Sequence, residues 1–423
     1  MLPYFNLPFD HPESLHGGDY VVATYLVHGL SEAEALKRVG GFAVGQSIGT
    51  WTPLPGITRE MVEGHQARIV GCHFIPSAEE KGLVFLQVAF PLPNFGKVFA
   101  MMLTALVGND ASTALRARLL DIQLVGAACD LFVGPHHGIE GIRRLVGVEG
   151  RPLVLNMLKP CTGYPPEVGA ELFYQVGLGG VDLIKDDELL ADSGFNGVVA
   201  RVKAYLAAAK RLREETGRSP LYFVNITDRP ERMRENAQAV IEAGGKAVMV
   251  NFVLTGLDAL AELAEDFGEE LVILAHFAGA GIIGQTIDHG VALPLLLGKF
   301  PRMAGADAVV SIYPAGLGKV RGYLDHLRIV QAHRLPLGKM KPVFTVVGGG
   351  VTPLNVAEIY RELGTDIIIA AGGAVQGHPM GATAGAKAMM QAVEAAVSGV
   401  ELEVAAAEYP ELRRALTAWG HSS

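Results

Sequence analysis

Between residues 153 and 370 the chain repeats one pattern eight times: a short apolar run, then a longer stretch of helical character. The runs are 153–158, 181–184, 221–226, 247–252, 272–275, 308–312, 343–347 and 366–370. Uninterrupted β-rich runs of this length fit strands buried on both faces, as in parallel sheets. Stretches of roughly 10–20 residues, such as 195–216 and 258–266, supply the helical crossovers that parallel strands need. Eight such units predict a C-terminal (β/α)8 TIM barrel over residues 136–423. A doubly wound open sheet is the competing arrangement, and it usually stops at about five to seven strands.

Residues 1–135 break the pattern. Runs 20–27, 68–74, 83–90 and 119–124 read as strands. Ser31 followed by Glu34 opens a capped helix, and 95–107 is apolar and helical in length. Strand, helix, two strands, helix, strand predicts a smaller α+β, ferredoxin-like domain, with an open antiparallel sheet and helices on one face. Gly134-Pro135-His136-His137-Gly138 supplies the joint. A length of 423 residues accommodates two domains.

Composition narrows the partners. The net charge is −9 and no basic cluster occurs, which argues against nucleic acid. Cys72, Cys129 and Cys161 are widely spaced, giving neither a disulfide framework nor a zinc site. Met1-Leu2-Pro3-Tyr4 lacks a basic start and long apolar run, and no stretch of about 18 apolar residues suggests a membrane span. The expectation is a cytoplasmic protein.

In a barrel, working groups gather at strand C-termini. The second run ends in Lys185-Asp186-Asp187-Glu188. Alternation puts Lys185 and Asp187 on one side and Asp186 on the other, and Glu188 can turn back to the same site. Burying two acids together is costly unless a cation sits between them, and two hard oxygens at a strand end suit Mg²⁺. Lys185 fits beside a metal if CO₂ has added to its neutral amine, making a carbamate and a third anionic oxygen. Other strand ends carry Lys159, Asn225 with Thr227, Asn251, His276 and Lys319. After the seventh and eighth runs come Gly349-Gly350 and Gly372-Gly373. Lacking Cβ, such glycines let backbone N–H groups converge on a phosphate, so a phosphorylated small-molecule substrate is expected.

Lys-Asp-Asp-Glu after Gly-Gly-x-Asp resembles the metal-binding strand of the RuBisCO large chain and its non-carboxylating relatives, the RuBisCO-like proteins. The resemblance covers nearly the whole chain. It implies that Lys185 as carbamate, Asp187 and Glu188 hold Mg²⁺, that Lys159 is the enolising lysine, and that His276 is the strand-5 histidine. Gly349, Gly350, Gly372 and Gly373 become the phosphate cradle. Gly49-Thr50-Trp51-Thr52 and Asn109 match residues that the family lends to a neighbouring subunit, which implies a homodimer with shared active sites, with higher assembly left open.

The departures bear on function. Gln46, Cys161 and Phe277 stand where RuBisCO has Glu, Lys and Arg. Losing three charged groups, one of them a bidentate phosphate clamp, argues against CO₂ fixation. What remains is an enolising site. Gly318-Lys319-Val320 resembles the family's mobile loop, whose lysine holds a carboxylate. That favours a decarboxylase of the 3-oxo-isoapionate-4-phosphate type. The alternative is the 2,3-diketo-5-methylthiopentyl-1-phosphate enolase of methionine salvage. That enolase carries its base lysine where Asn109 stands here. A non-catalytic metabolite-binding regulator is the second alternative. Cys161 reads as a small neutral filler, Met101, Met102, Met389 and Met390 as helix core, and His333 as a surface residue.

Overall fold

The computed structural model describes residues 10–50, 52, 54–76, 82–314 and 319–420, without the side chains of 319–321. Trp51 and residues 315–318 lie outside the described residues. The chain divides into two compact units. One joins Met1–Val133, Gly279–Phe300 and Pro336–Met340, and the other joins Gly134–Ala278, Pro301–Leu335 and Lys341–Ser423. The expected boundary gave all of 136–423 to the barrel. Two segments from that half pack with the smaller unit instead.

The smaller unit is α+β. Strands β1 (Tyr20–Leu30), β2 (Arg68–Ile75), β3 (Gly82–Pro91) and β4 (Arg118–Val125) form its sheet. β1 lies between β3 and β4, antiparallel to both, and β2 pairs antiparallel with β3. The helix Glu32–Gly45 opens with a capping box, in which Ser31 N donates to Glu34 Oε2 at 3.1 Å and Glu34 N donates to Ser31 Oγ at 3.4 Å. Two orphan amides at the helix start are thereby satisfied.

The larger unit is the barrel. Its strands are β5 (Leu153–Met157), β6 (Leu183–Lys185), β7 (Leu221–Asn225), β8 (Ala247–Val250) and β9 (Val272–Ala275). After β9 the chain forms β10 (Gly290–Val291), which adds to β4 in parallel and makes the small sheet mixed rather than wholly antiparallel. The barrel then resumes with β11 (Ala308–Ile312), β12 (Phe344–Gly348) and β13 (Ile367–Ala371). All eight barrel strands are parallel, and the ring closes through β9–β11 and β13–β5 pairing.

Alternation along each strand fills the interior. Leu155, Leu183, Phe223, Met249, Leu274 and Phe344 all point inward and are fully buried. Burying each such side chain contributes about 1.5–3 kcal/mol relative to leaving it exposed. The helix Gly138–Val146 covers the strand N-termini, inserting Ile139 and Ile142 into the same cluster. Its Arg143 pairs with Asp366 at 2.9 Å and lies over the Phe344 ring at 5.2 Å. Asp307, fully buried, accepts from the amides of His137, Gly138 and Ile273 at 2.7, 2.8 and 2.9 Å.

His333 is not at the surface. It is buried inside the helix Lys319–Arg334, with Nδ1 2.8 Å from Thr345 Oγ1. Met102 and Met389 are core residues as expected, whereas Met101 is exposed and Met390 only partly buried, each facing away from the buried side of its helix. Among the described residues no helix is long and apolar enough to cross a membrane.

Candidate active site

The barrel mouth is built from the residues that continue the inward side of each strand. On β6, Leu183 faces the core, so Lys185 and Asp187 follow on the same side. Asp186 faces the other way, under the helix Val198–Thr216. There it pairs with Arg201 Nε at 2.9 Å and accepts from Tyr222 Oη at 2.7 Å and Asn225 N at 2.9 Å. The same guanidinium donates to the backbone oxygens of Asn196 at 2.6 Å and Asn225 at 3.1 Å. One fully buried cation therefore ties the end of β6 to β7 and to the loop that follows Glu188.

Lys159 continues the inward side of β5. Its Nζ lies 2.5 Å from Asp187 Oδ2 and 3.1 Å from Cys161 Sγ. Burial pulls the Lys159 pKa down, but the hydrogen bonds to Asp187 and Cys161 outweigh it and raise the pKa on balance. In this arrangement Lys159 is held as an ammonium. A cation on Asp187 would compete for the same oxygen and weaken that hold.

Lys185 is 1% exposed and donates to Asp186 O at 2.9 Å, with Glu188 Oε2 at 3.2 Å. Burial lowers its pKa against the pull of Glu188 and Asp187, which raises the share of free amine that CO₂ addition needs. Glu188 Oε2 also lies 3.4 Å from His276 Nε2. Burial raises the Glu188 pKa, yet Lys185 and His276 bring it below the usual carboxylate range. His276 is pushed down to about 4, first by burial and then by Lys185. Its Nδ1 accepts from Ala278 N at 3.3 Å, which places the neutral ring's proton on Nε2, facing Glu188.

The polar strand ends support the two acids. Asp187 Oδ1 accepts from Leu189 N at 3.1 Å. Asn225 Nδ2 donates to the carbonyls of Asp187 and Glu188 at 3.1 and 3.2 Å, and its Oδ1 accepts from Thr227 Oγ1 at 2.6 Å. Asn251 Nδ2 donates to Glu188 O at 3.0 Å.

Among the described residues no three His, Cys, Asp or Glu side chains are grouped to hold a metal by themselves. Asp187 and Glu188 supply two hard oxygens, each now countered by a lysine. The two carboxylates fit Mg²⁺, and Lys185 as a carbamate would turn from a competing cation into a third anionic oxygen.

The glycines border the same mouth. Gly349 (φ +86°) and Gly350 (φ +74°) follow β12 in left-handed conformations that favour glycine. Gly372 follows β13, where a Cβ would meet Met157 Cγ at 2.7 Å and Lys159 Cε at 3.3 Å. Its bareness makes room for the Lys159 stem. Nothing lies within 4 Å of a Cβ built on Gly350 or Gly373, so the space there is open.

Lys159, Lys185, Asp187, Glu188 and His276 thus come together. Lys319 begins the helix Lys319–Arg334, and its side chain lies outside the described residues, as does Trp51. Thr50 and Asn109 are exposed residues of the smaller unit. Of the departures, Phe277 stacks on His276 at 4.8 Å, and Gln46 caps the helix Phe99–Val107, donating to Ala105 O at 2.8 Å. Arg201 escaped the sequence reading. Its signal was one charge on the otherwise apolar stripe of Val198, Val202, Tyr205 and Leu212.

Known proteins resemble this chain along its length. The model of the ribulose bisphosphate carboxylase large chain N-terminal domain matches residues 12–126, and that of its catalytic domain matches 138–419. A ribulose bisphosphate carboxylase-like protein of Archaeoglobus fulgidus is 40% identical over 408 residues, covering 93% of this chain and 92% of that one. A 2,3-diketo-5-methylthiopentyl-1-phosphate enolase of Geobacillus thermodenitrificans is 35% identical, covering 95% and 98%. The solved sulfate complex of octameric ribulose-1,5-bisphosphate carboxylase/oxygenase from Pyrococcus horikoshii superposes with a TM-score of 0.89 at 32% identity, covering 99% and 97%.

Proposed function

The chain belongs to the ribulose bisphosphate carboxylase large-chain family, and from that premise we propose that it is a cytoplasmic, Mg²⁺-dependent enzyme that forms an enolate from a phosphorylated ketone. It is a RuBisCO-like protein in this reading, not a carboxylase, since Gln46, Cys161 and Phe277 replace charged groups. The observation that carries it is the convergence of Lys159, Lys185, Asp187, Glu188 and His276 at one mouth.

The preferred reaction is enolisation of 2,3-diketo-5-methylthiopentyl-1-phosphate. The relative of that name, 35% identical over nearly the whole chain, supports it above the decarboxylase favoured by sequence alone. Asp187, Glu188 and the carbamate of Lys185 hold Mg²⁺, which supplies Lewis-acid polarisation of the ketone when bound. Lys159, once its hold on Asp187 is loosened and its Nζ is a free amine, accepts the proton from the substrate carbon, while His276 donates from Nε2 toward developing oxygen charge. Gly349, Gly350, Gly372 and Gly373 cradle the phosphate and fix the ketone relative to Lys159. Thr50, Trp51 and Asn109 complete the site of a second copy in a homodimer.

Decarboxylation of a phosphorylated 3-oxo acid is the second reading. Asn109 in place of a base lysine and the presence of Lys319 favour it. Incubating purified protein, Mg²⁺ and bicarbonate with the diketone and with a 3-oxo-isoapionate 4-phosphate separates them. An enol product without CO₂ release supports the first, and CO₂ release from the acid alone replaces it with the second. Turnover of neither leaves a metabolite-binding regulator.

A further inference from the structure

One acceptor at the mouth has no partner. Asn251 is 7% exposed, and its other polar groups are engaged. Its N donates to Thr227 Oγ1 at 3.0 Å, its Nδ2 to Glu188 O at 3.0 Å, and its O accepts from Leu254 N at 3.1 Å. Oδ1 is buried without a hydrogen-bond partner. Turning the amide over does not help, because Glu188 O only accepts and must face the nitrogen. Ala247 and Met249 lie in the barrel interior, and Asn251 continues that side beyond the end of β8. An acceptor left unpaired in such a place is costly unless something donates to it.

The chemistry that can satisfy Asn251 Oδ1 is selective. Lys159 and His276 donate, and Asp187 and Glu188 are acids. Asn251 Oδ1 is a neutral acceptor, so it repels a keto or phosphate oxygen and takes an O–H. We propose that Asn251 is a specificity-determining residue whose Oδ1 accepts the proton of a hydroxyl next to the reacting carbonyl. That hydroxyl is either present in the substrate or created as the enol forms. The identity of the neighbouring carbonyl rests on the ketone chemistry proposed above; the hydroxyl preference rests on Asn251 alone.

A matched pair of phosphorylated ketones tests it by calorimetric binding. Dihydroxyacetone phosphate carries the free hydroxyl, and acetol phosphate lacks it. Wild type is expected to bind the hydroxylated ligand roughly tenfold tighter, and Asn251→Ala to lose that preference, read as the ratio of the two affinities within the variant. Equal affinities in wild type, or a preference that survives Asn251→Ala, overturn the proposal. The wild-type comparison stands even if the variant does not fold. Kinetics with 2,3-diketo-5-methylthiopentyl-1-phosphate, which carries no free hydroxyl, then tests the enol directly: a lower kcat at unchanged KM in Asn251→Ala places the accepted hydroxyl on the enol, and an unchanged kcat removes the enol and leaves only a hydroxyl already present in another substrate. A wild type inactive on the diketone overturns the enolase reading and leaves the binding comparison to decide this one.

Discussion

Arg201 and Asp186 form a fully buried ion pair, 2.9 Å from Nε to Oδ2, directly behind the strand end that aims Lys185 and Asp187 into the barrel mouth. The pair, Tyr222 and the Asn196 and Asn225 carbonyls together hold the backbone on either side of the two acids. Removing one partner of such a pair strands the other charge. Arg201→Met is therefore expected to cost about 3–5 kcal/mol in urea unfolding at unchanged m-value. A loss below about 1 kcal/mol would show that Asp186 is supported otherwise.

Lys185 is the carbamate site in the proposed mechanism. With ¹³C-bicarbonate and Mg²⁺, wild type is expected to give a protein-bound carbamate resonance that Lys185→Ala lacks. The same variant should bind Mg²⁺ at least tenfold more weakly by titration, since it removes one of the three anionic ligands proposed to hold the cation. An unchanged resonance in the variant would move the carbamate elsewhere.

Gly372 is expected to tolerate no side chain. A methyl there would press on Met157 Cγ at 2.7 Å and on the Lys159 stem at 3.3 Å. Gly372→Ala should lower kcat by roughly tenfold to a hundredfold through misplacement of Lys159. Steady-state kinetics beside a thermal melt checks it, with a melting temperature that falls by only a few degrees.

His326 makes the fold acid-sensitive away from the mouth. It is 2% exposed beneath Ser311 Oγ at 3.2 Å and the Tyr313 ring, and burial pushes its pKa down to about 4. Its stabilising contribution is complete above the unfolded value near 6.5 and is lost as pH falls toward 4, because the unfolded chain takes the proton first. Relative to His326→Gln, wild type should lose up to about 3 kcal/mol between pH 7 and pH 4. Parallel unfolding curves for the two proteins would contradict this.

The barrel was legible because buried parallel strands leave continuous apolar runs, and the inward side of β6 follows from alternation alone once Leu183 is in the core. The β10 excursion was not. Two residues, Gly290 and Val291, carry no periodicity, and only pairing with β4 makes them a strand. His333 misled because its helix is polar on average, and only packing against β12, the strand that follows, brings the Thr345 hydroxyl to its ring. Lys159 was found by position, while its protonation depends on Asp187 in space.

Exchange of substrate protons with D₂O, followed by NMR on 2,3-diketo-5-methylthiopentyl-1-phosphate, tests the central claim most directly. Wild type is expected to incorporate deuterium at the carbon between the ketone and the phosphate ester's side of the chain only with both Mg²⁺ and bicarbonate, and Lys185→Ala is expected to incorporate none. Exchange that proceeds without bicarbonate, or that survives in Lys185→Ala, would contradict an enolising site built on a carbamylated lysine and two acids.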